Sequence, residues 1–278
     1  MAEPSAAGVS GGHDVRLVFS EAAPDYGRYT FPYAVWGFPE TGETPADFFE
    51  AGFLPSSVAL DRFYLCRQVR VPLRGWTPTT ENRRILRKAD RWICRLVPRS
   101  DYDYRPELRS QWLEFARVRF GEGVMPGERL DRLMAAPVVT HLLEFLDPES
   151  GQEVGTVLMH VEPPRLAYYY FAFHTLDAGY GISGMQMMTR AVAHFSQAGF
   201  GHLHLGTCYD ERALYKVQFE PMEYSTGWTW SSDMEALQAL VRRFPMQGHL
   251  LEDPHHPAAC GADPTVAAQD TRFRLPKG

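Results

Sequence analysis

The residues best suited to chemistry lie in one short block, 205–224, of the 278-residue chain. Asp210, Tyr215 and Lys216 stand close together there, between Gly206 and a Phe219-Glu-Pro221 closure. An aspartate can accept a proton or hold an amine, a tyrosine can protonate a leaving oxygen, and a lysine can contact phosphate. Plainer uses exist for the same types: Asp210 as the cap of a short helix, Lys216 as a surface charge. Tyr209, in the turn beside Asp210, is a further candidate for contacting substrate. Upstream, Asp177-Ala-Gly-Tyr-Gly-Ile-Ser-Gly184 places Gly179, Gly181 and Gly184 between an expected strand and an expected helix. Glycine lets backbone approach a ligand, and the N–H groups opening a helix favour phosphate oxygens, although an ordinary tight turn makes the same demand. The run Tyr168-Tyr-Tyr-Phe-Ala-Phe173 comes just before this loop. Alternation puts Tyr168 and Tyr170 on one strand face, where they either line a cleft or fill the core.

Other chemistries find no support. His202 and His204 share one strand face, but no third ligand accompanies them, so a cross-strand partner or surface exposure is the expected use. His255-His256 lies in a proline-rich tail. No Gly-x-Ser-x-Gly, phosphate-binding P-loop or Cys-His nucleophile pattern occurs. Cys66, Cys94, Cys208 and Cys260 are widely spread, which indicates neither a disulfide framework nor a metal knuckle and fits a reducing cytoplasm. No apolar run reaches the length of a membrane span, and the N-terminus lacks the pattern of a signal peptide.

Charge is unevenly distributed. The chain carries a formal −6, yet residues 61–99 hold 11 Lys+Arg against 3 Asp+Glu. Such a basic patch in an acidic protein is the footprint expected for a phosphate-rich ligand, or else a solvated helix face. Arg83, Arg84, Arg87 and Lys88 concentrate it on one predicted helix, capped by Thr79 or Thr80 and running through Ala89, with Arg91 just beyond its end.

The elements that must position these groups follow from periodicity. Residues 1–14 are expected as a disordered tail, 15–75 as a loop-rich N-terminal subdomain with a short helix at 46–51, 76–245 as the main domain, and 246–278 as an irregular tail. A strand-like segment lies within 61–73. Beyond it, strands are predicted at 92–97, 138–146, 153–161, 166–173, 202–205 and 224–230, with helices at 106–120, 128–135, 185–197, 211–217 and 233–244.

Block 205–224, with its glycine-ended strand, Tyr215-Lys216 pair and Phe219-Glu-Pro221, resembles the C-terminal signature of the aminoacyl-tRNA–protein transferases. A second match lies upstream in the right order: Gly52-Phe-Leu-Pro-Ser56, then Val69-Arg-Val-Pro72, then Asn82-Arg-Arg-Ile-Leu-Arg-Lys88. The resemblance covers roughly residues 45–230. It implies an α+β fold of the GNAT (N-acyltransferase) type, which the element order from residue 91 to 230 also matches, so that 76–245 becomes a GNAT-like transferase domain. It implies aminoacyl-tRNA as donor of leucine or arginine, and the N-terminal amine of an acceptor protein, beginning with an acidic residue, as acceptor. No separate cofactor is needed, because the ester carbonyl is already activated. Asp210 would hold or deprotonate the amine, and Tyr215 would protonate the leaving ribose oxygen. Lys216 would contact phosphate, and Arg83, Arg84, Arg87, Lys88 and Arg91 would contact the tRNA backbone.

One part of the family pattern is missing. Where members carry an N-terminal cysteine cluster, this chain reads Phe31-Pro-Tyr33 and Phe63-Tyr-Leu-Cys-Arg-Gln68, with Cys66 alone remaining. A lone thiol holds neither an iron–sulfur cluster nor a structural zinc, so no metal is expected. Two alternatives share the fold: an acyl-CoA-dependent N-acyltransferase whose glycine loop takes pyrophosphate, and a non-catalytic tRNA- or peptide-binding relative.

Overall fold

The N-terminal part folds as a small antiparallel sheet of four strands, β1 (Arg16–Glu21), β2 (Tyr33–Phe38), β3 (Phe53–Pro55) and β4 (Phe63–Leu65), in the order β1-β2-β4-β3. The structure, a computed structural model, describes residues 16–21 and 33–243 except residue 228. Both expected tails, Cys260, His255-His256 and the first two residues of Phe31-Pro-Tyr33 lie outside the described residues. Helix α1 (Pro45–Glu50) opens on Pro45 and on the Thr44 N–H, which donates to the Asp47 carboxylate at 2.7 Å. It drives Phe48 and Phe49 against Phe63 as the centre of this subdomain's core.

Strand β5 (Gln68–Pro72) leaves that sheet and enters a second one of eight strands. After it come α2 (Thr80–Ala89), β6 (Ile93–Pro98), α3 (Pro106–Arg119), α4 (Gly127–Ala135), β7 (His141–Leu146), β8 (Glu153–Glu162) and β9 (Leu166–His174). Helix α5 (Gly184–Gln197), β10 (His202–Thr207), a 3₁₀ turn (Glu211–Val217), β11 (Glu223–Ser225), β12 (Trp230–Ser231) and α6 (Met234–Arg242) complete the chain as described. The order across the large sheet is β12-β11-β5-β10-β9-β8-β7-β6. All neighbours pair antiparallel except β9 with β10, which run parallel. The fold is therefore α+β, a mixed sheet flanked by helices.

Helices α5 and α6 cover one face through Met187, Ala191, Val192, Phe195, Leu237 and Leu240, and α2 packs on it through Leu86. The other face is covered by α3 and α4, through Trp112, Phe115, Leu130 and Leu133, and by the N-terminal sheet. Arg165, in the β8–β9 turn, ties the two parts together with ion pairs of 2.8 Å to Asp47 and 2.7 Å to Glu50.

Three expectations need adjustment. The 224–230 strand is a hairpin of β11 and β12, because Gly227, at φ 91°, turns the chain back between them. The 138–146 strand begins at His141, because the Val138 N–H is taken by the Val58 carbonyl (3.2 Å) instead of the sheet. And β5, which falls in the 15–75 segment, lies inside the main sheet between β10 and β11 with both faces buried. Its polar residues hide this by alternating with valines, as in a half-exposed strand. In fact Gln68 donates to the Phe53 carbonyl at 2.9 Å, and Arg70 pairs with Glu223 at 2.7 Å.

Among the described residues, no helix is long and apolar enough to cross a membrane.

Candidate functional site

The two parallel strands pair over only three positions, His202 with Leu166, Leu203 with Ala167 and His204 with Tyr168. Immediately beyond, both strands are irregular. β10 shifts register against β5 between His204 and Gly206, and β9 shifts against β8 around Tyr170. A bulge bends its strand and re-aims the side chains that follow. Two of them at one level part the strands and open the sheet.

The opening is a cleft of about 390 Å³. Tyr169, Tyr170, Phe171 and Ala172 line it from β9, and Leu205 from β10. Gly184, Met185 and Met188 of α5 close one side, Phe115 and Phe120 the other, and Tyr215 and Lys216 reach it from the 3₁₀ turn. The start of α5 is fixed by a reciprocal cap: Gln186 N–H to Ser183 Oγ (3.3 Å) and Ser183 N–H to Gln186 Oε1 (2.9 Å). The first N–H groups of a helix have no intrahelical partner. With the Gln186 N–H satisfied by the cap, those of Gly184 and Met185 remain, on two residues that line the cleft.

Electrostatics differ among the lining groups. Lys216 Nζ donates to the Thr207 carbonyl at 2.8 Å, and burial lowers its pKa, opposed by nearby Cys208, Asp210 and Cys66. Tyr215 is half exposed, and loss of solvent around its hydroxyl raises its pKa. Tyr169 is buried, with its hydroxyl unpartnered among the described residues, and burial raises its pKa too. His174 Nδ1 lies 2.9 Å from the Thr175 carbonyl, an acceptor only, so that nitrogen carries the proton and Nε2 is left as the base. Burial lowers the pKa of His174 and favours the neutral ring. The thiols are poorly suited to attack: burial pushes Cys94 and Cys208 up to about 11 and Cys66 higher still.

The structure brings together Tyr170, Gly184, Tyr215 and Lys216 of the residues expected from sequence. The others lie elsewhere. Tyr168 and Tyr209 pack into the core of the N-terminal subdomain, where the Tyr209 hydroxyl accepts from the Arg67 N–H at 3.1 Å. Gly179 borders a separate recess of about 410 Å³ with Arg91, Asp177 and Tyr180. Gly181 turns the same loop in the left-handed region, at φ 65°. Asp210 starts the 3₁₀ turn through its carbonyl, which accepts from the Ala213 N–H at 2.9 Å, while its carboxylate lies 3.6 Å from the Arg212 guanidinium. Arg83, Arg84, Arg87 and Lys88 are exposed on α2, with Asn82, Ile85 and Ala89 turned inward. His204 is buried and its Nδ1 bonds Gln68 Oε1 on the neighbouring strand at 2.8 Å, so of the two expected uses it has the cross-strand partner and not surface exposure. No group of three or more His, Cys, Asp or Glu side chains suited to hold a metal occurs among the described residues.

Sequence reasoning missed Tyr169, His174, Met185, Met188 and the two phenylalanines at the end of α3. Tyr169 belongs to the core face by alternation, and only the bulge after it brings it to the cleft.

Comparison with known proteins points to a distant relationship with one class of enzymes, transferases of an amino acid. Two proteins named aspartate/glutamate leucyltransferase are similar to this chain. That of Sphingomonas elodea is 24% identical over 185 residues, which is 63% of this chain and 71% of the relative. That of Gluconacetobacter diazotrophicus is 26% identical over 170 residues, 60% of this chain and 64% of the relative. No protein-family model matches. Among solved structures, the C-terminal domain (DUF2156) of a protein designated a lysylphosphatidylglycerol synthetase, from Agrobacterium fabrum, aligns with TM-score 0.41 and 13% identity over 79% of this chain and 61% of that one. L-PGS from Bacillus licheniformis aligns with TM-score 0.38 and 13% identity over 51% and 44%.

Proposed function

We propose that this chain transfers leucine from leucyl-tRNA to the N-terminal amine of an acceptor protein that begins with aspartate or glutamate. The observation that carries the reading is the cleft where β9 and β10 part, walled by the Tyr215-Lys216 pair of the signature block and by the start of α5. The names of the two leucyltransferases support leucine as the donated residue and an acidic acceptor. The element order and the parted parallel strands support a GNAT-type domain as the scaffold, and the exposed arginines of α2 support a tRNA donor.

The reaction asks for little beyond alignment. The acceptor amine, uncharged, attacks the ester carbonyl; a C–N bond forms, and the bond to the ribose oxygen breaks. His174 Nε2 is the neutral base on the cleft wall that can take the amine proton. Tyr215 gives a proton to the leaving ribose oxygen. Lys216 and the N–H groups of Gly184 and Met185 face the negative charge of the donor's terminal phosphate. Asp210 does not touch the cleft; it acts through Lys216, whose positive charge it favours. Gly179, Gly181 and Arg91 extend the donor side along the loop towards α2.

The test is transfer of radiolabelled amino acid from total charged tRNA to peptides beginning with Asp, Glu or Ala, beside an arm supplied with acetyl-CoA. The reading expects leucine to arrive on the acidic peptides and not on the alanine peptide. Label from acetyl-CoA alone would replace it with an ordinary N-acyltransferase. Silence in both arms, with tRNA still bound, would replace it with a binding protein.

A further inference from the structure

A second recess shares a wall with the cleft. It holds about 530 Å³ between the β3–β4 connection and α4, and Tyr170 borders both cavities. Three arginines line it: Arg62 from one bank, Arg129 and Arg132 from the other, with Ser56 and Ser57 beside them. No carboxylate is among the lining residues. Arg62 leans over the Trp36 ring at 4.8 Å and donates to Ser56 Oγ at 3.0 Å; Arg129 donates to the Val124 carbonyl at 2.6 Å. None of the three forms an ion pair among the described residues, whereas Arg109 and Arg117 on neighbouring α3 are matched with Asp131 and Glu114. Three uncompensated cations around one recess repel each other, and an anionic ligand relieves that repulsion.

We propose that this groove receives the acidic start of the acceptor peptide, and that it takes two carboxylates, the first residue's and a following one. The proposal rests on the acceptor reading above. Arg129 and Arg132 lie one helical turn apart and Arg62 stands on the opposite bank, so one carboxylate cannot satisfy all three, whereas two can. A peptide whose amine sits in the cleft passes Tyr170 and lays its next side chains between the banks. A peptide suits this site better than a nucleic-acid backbone does. The exposed cations of α2 belong to the opposite face of the sheet from α4, and they already offer phosphates an open surface.

The experiment measures binding of fluorescein-labelled peptides to the full chain by anisotropy, at low salt and without tRNA. Peptides starting Asp-Glu, Asp-Gln and Gln-Gln are compared, with intact folding of each variant checked by thermal unfolding. Asp-Glu should bind about threefold more tightly than Asp-Gln, each of R62Q, R129Q and R132Q should weaken Asp-Glu about threefold, and the triple variant should lose the preference. Equal affinity of wild type and triple variant for all three peptides would overturn the proposal. So would a triple variant that loses affinity for charged tRNA and keeps its peptide preference. Transfer is assayed separately: peptide binding that follows the arginines without any leucine transfer upholds the groove and sinks the transferase reading instead.

Discussion

Tyr215 and Tyr169 bring two phenols to one cleft from different elements, and their environments divide the work. Tyr215 is half exposed on the cleft, whereas Tyr169 is held in the core with its hydroxyl unpartnered among the described residues. If Tyr215 protonates the leaving oxygen, Y215F should lower kcat on the order of 100-fold with KM little changed, measured by single-turnover transfer. Y169F removes only an unpartnered hydroxyl and should leave the rate within a few-fold. A pH effect belongs to His202. Loss of solvent, then the nearby charge of Arg70, pushes its pKa down to about 4, while Glu223 and Glu50 act the other way and Arg74 adds to Arg70. The unfolded chain, with a histidine near 6.5, therefore binds more protons than the folded one between pH 6.5 and 4. Stability falls as pH falls through that window, and H202Q should flatten the decline in urea melts. His204, more deeply buried with its pKa lowered likewise, keeps the slope from vanishing. At this scale the sequence singled out by residue type Tyr215, Lys216 and Gly184, all three of which the structure places on one cleft. It could not reveal Tyr169, because a bulge is a property of two paired strands.

Elements were legible where one chain segment carries its own signal. The α2 cap is an example: the Asn82 N–H donates to Thr79 Oγ1 at 3.1 Å, at the threonine pair that the sequence marked as a helix start. Helix α5 begins in the same way at Ser183, and here the first turn, through Gly184 and Met185, lines the cleft. S183A should cost about 1 kcal/mol in chemical denaturation. It should also raise KM for charged tRNA, since the first turn of α5 would fray. What was not legible is partnership between distant segments. β5 reads as an alternating strand at the edge of a loop-rich region, yet β10 needed a neighbour, and Gln68 and Arg70 could be buried there because Phe53, His204 and Glu223 meet their polar groups. Those partners are spread over much of the chain, beyond the reach of local periodicity.

The whole molecule is acidic, with a formal charge of −6, yet residues 61–99 alone carry 11 Lys+Arg against 3 Asp+Glu. A polyanion is thus repelled by most of the surface and drawn to the part that contains α2. That helix packs against α5, whose first turn walls the cleft, so on the proposed function charge and geometry would bring a tRNA to the same place. Arg84 is partly engaged by Glu81 at 2.8 Å, but Arg87 and Lys88 have no ion pair among the described residues. Contacts to phosphate release counterions, so affinity should fall steeply with salt, and each lost contact should lower the slope of log affinity against log salt by about 0.7 to 0.9. The variant R83Q/R84Q/R87Q/K88Q should therefore bind tRNA more weakly at low salt and show a slope shallower by about 3, read by filter binding over a salt series. Because these side chains are exposed and point away from the core, its thermal midpoint should match that of the wild type. An unchanged slope would move the nucleic-acid surface off α2 and leave the basic stretch as a solvated helix face.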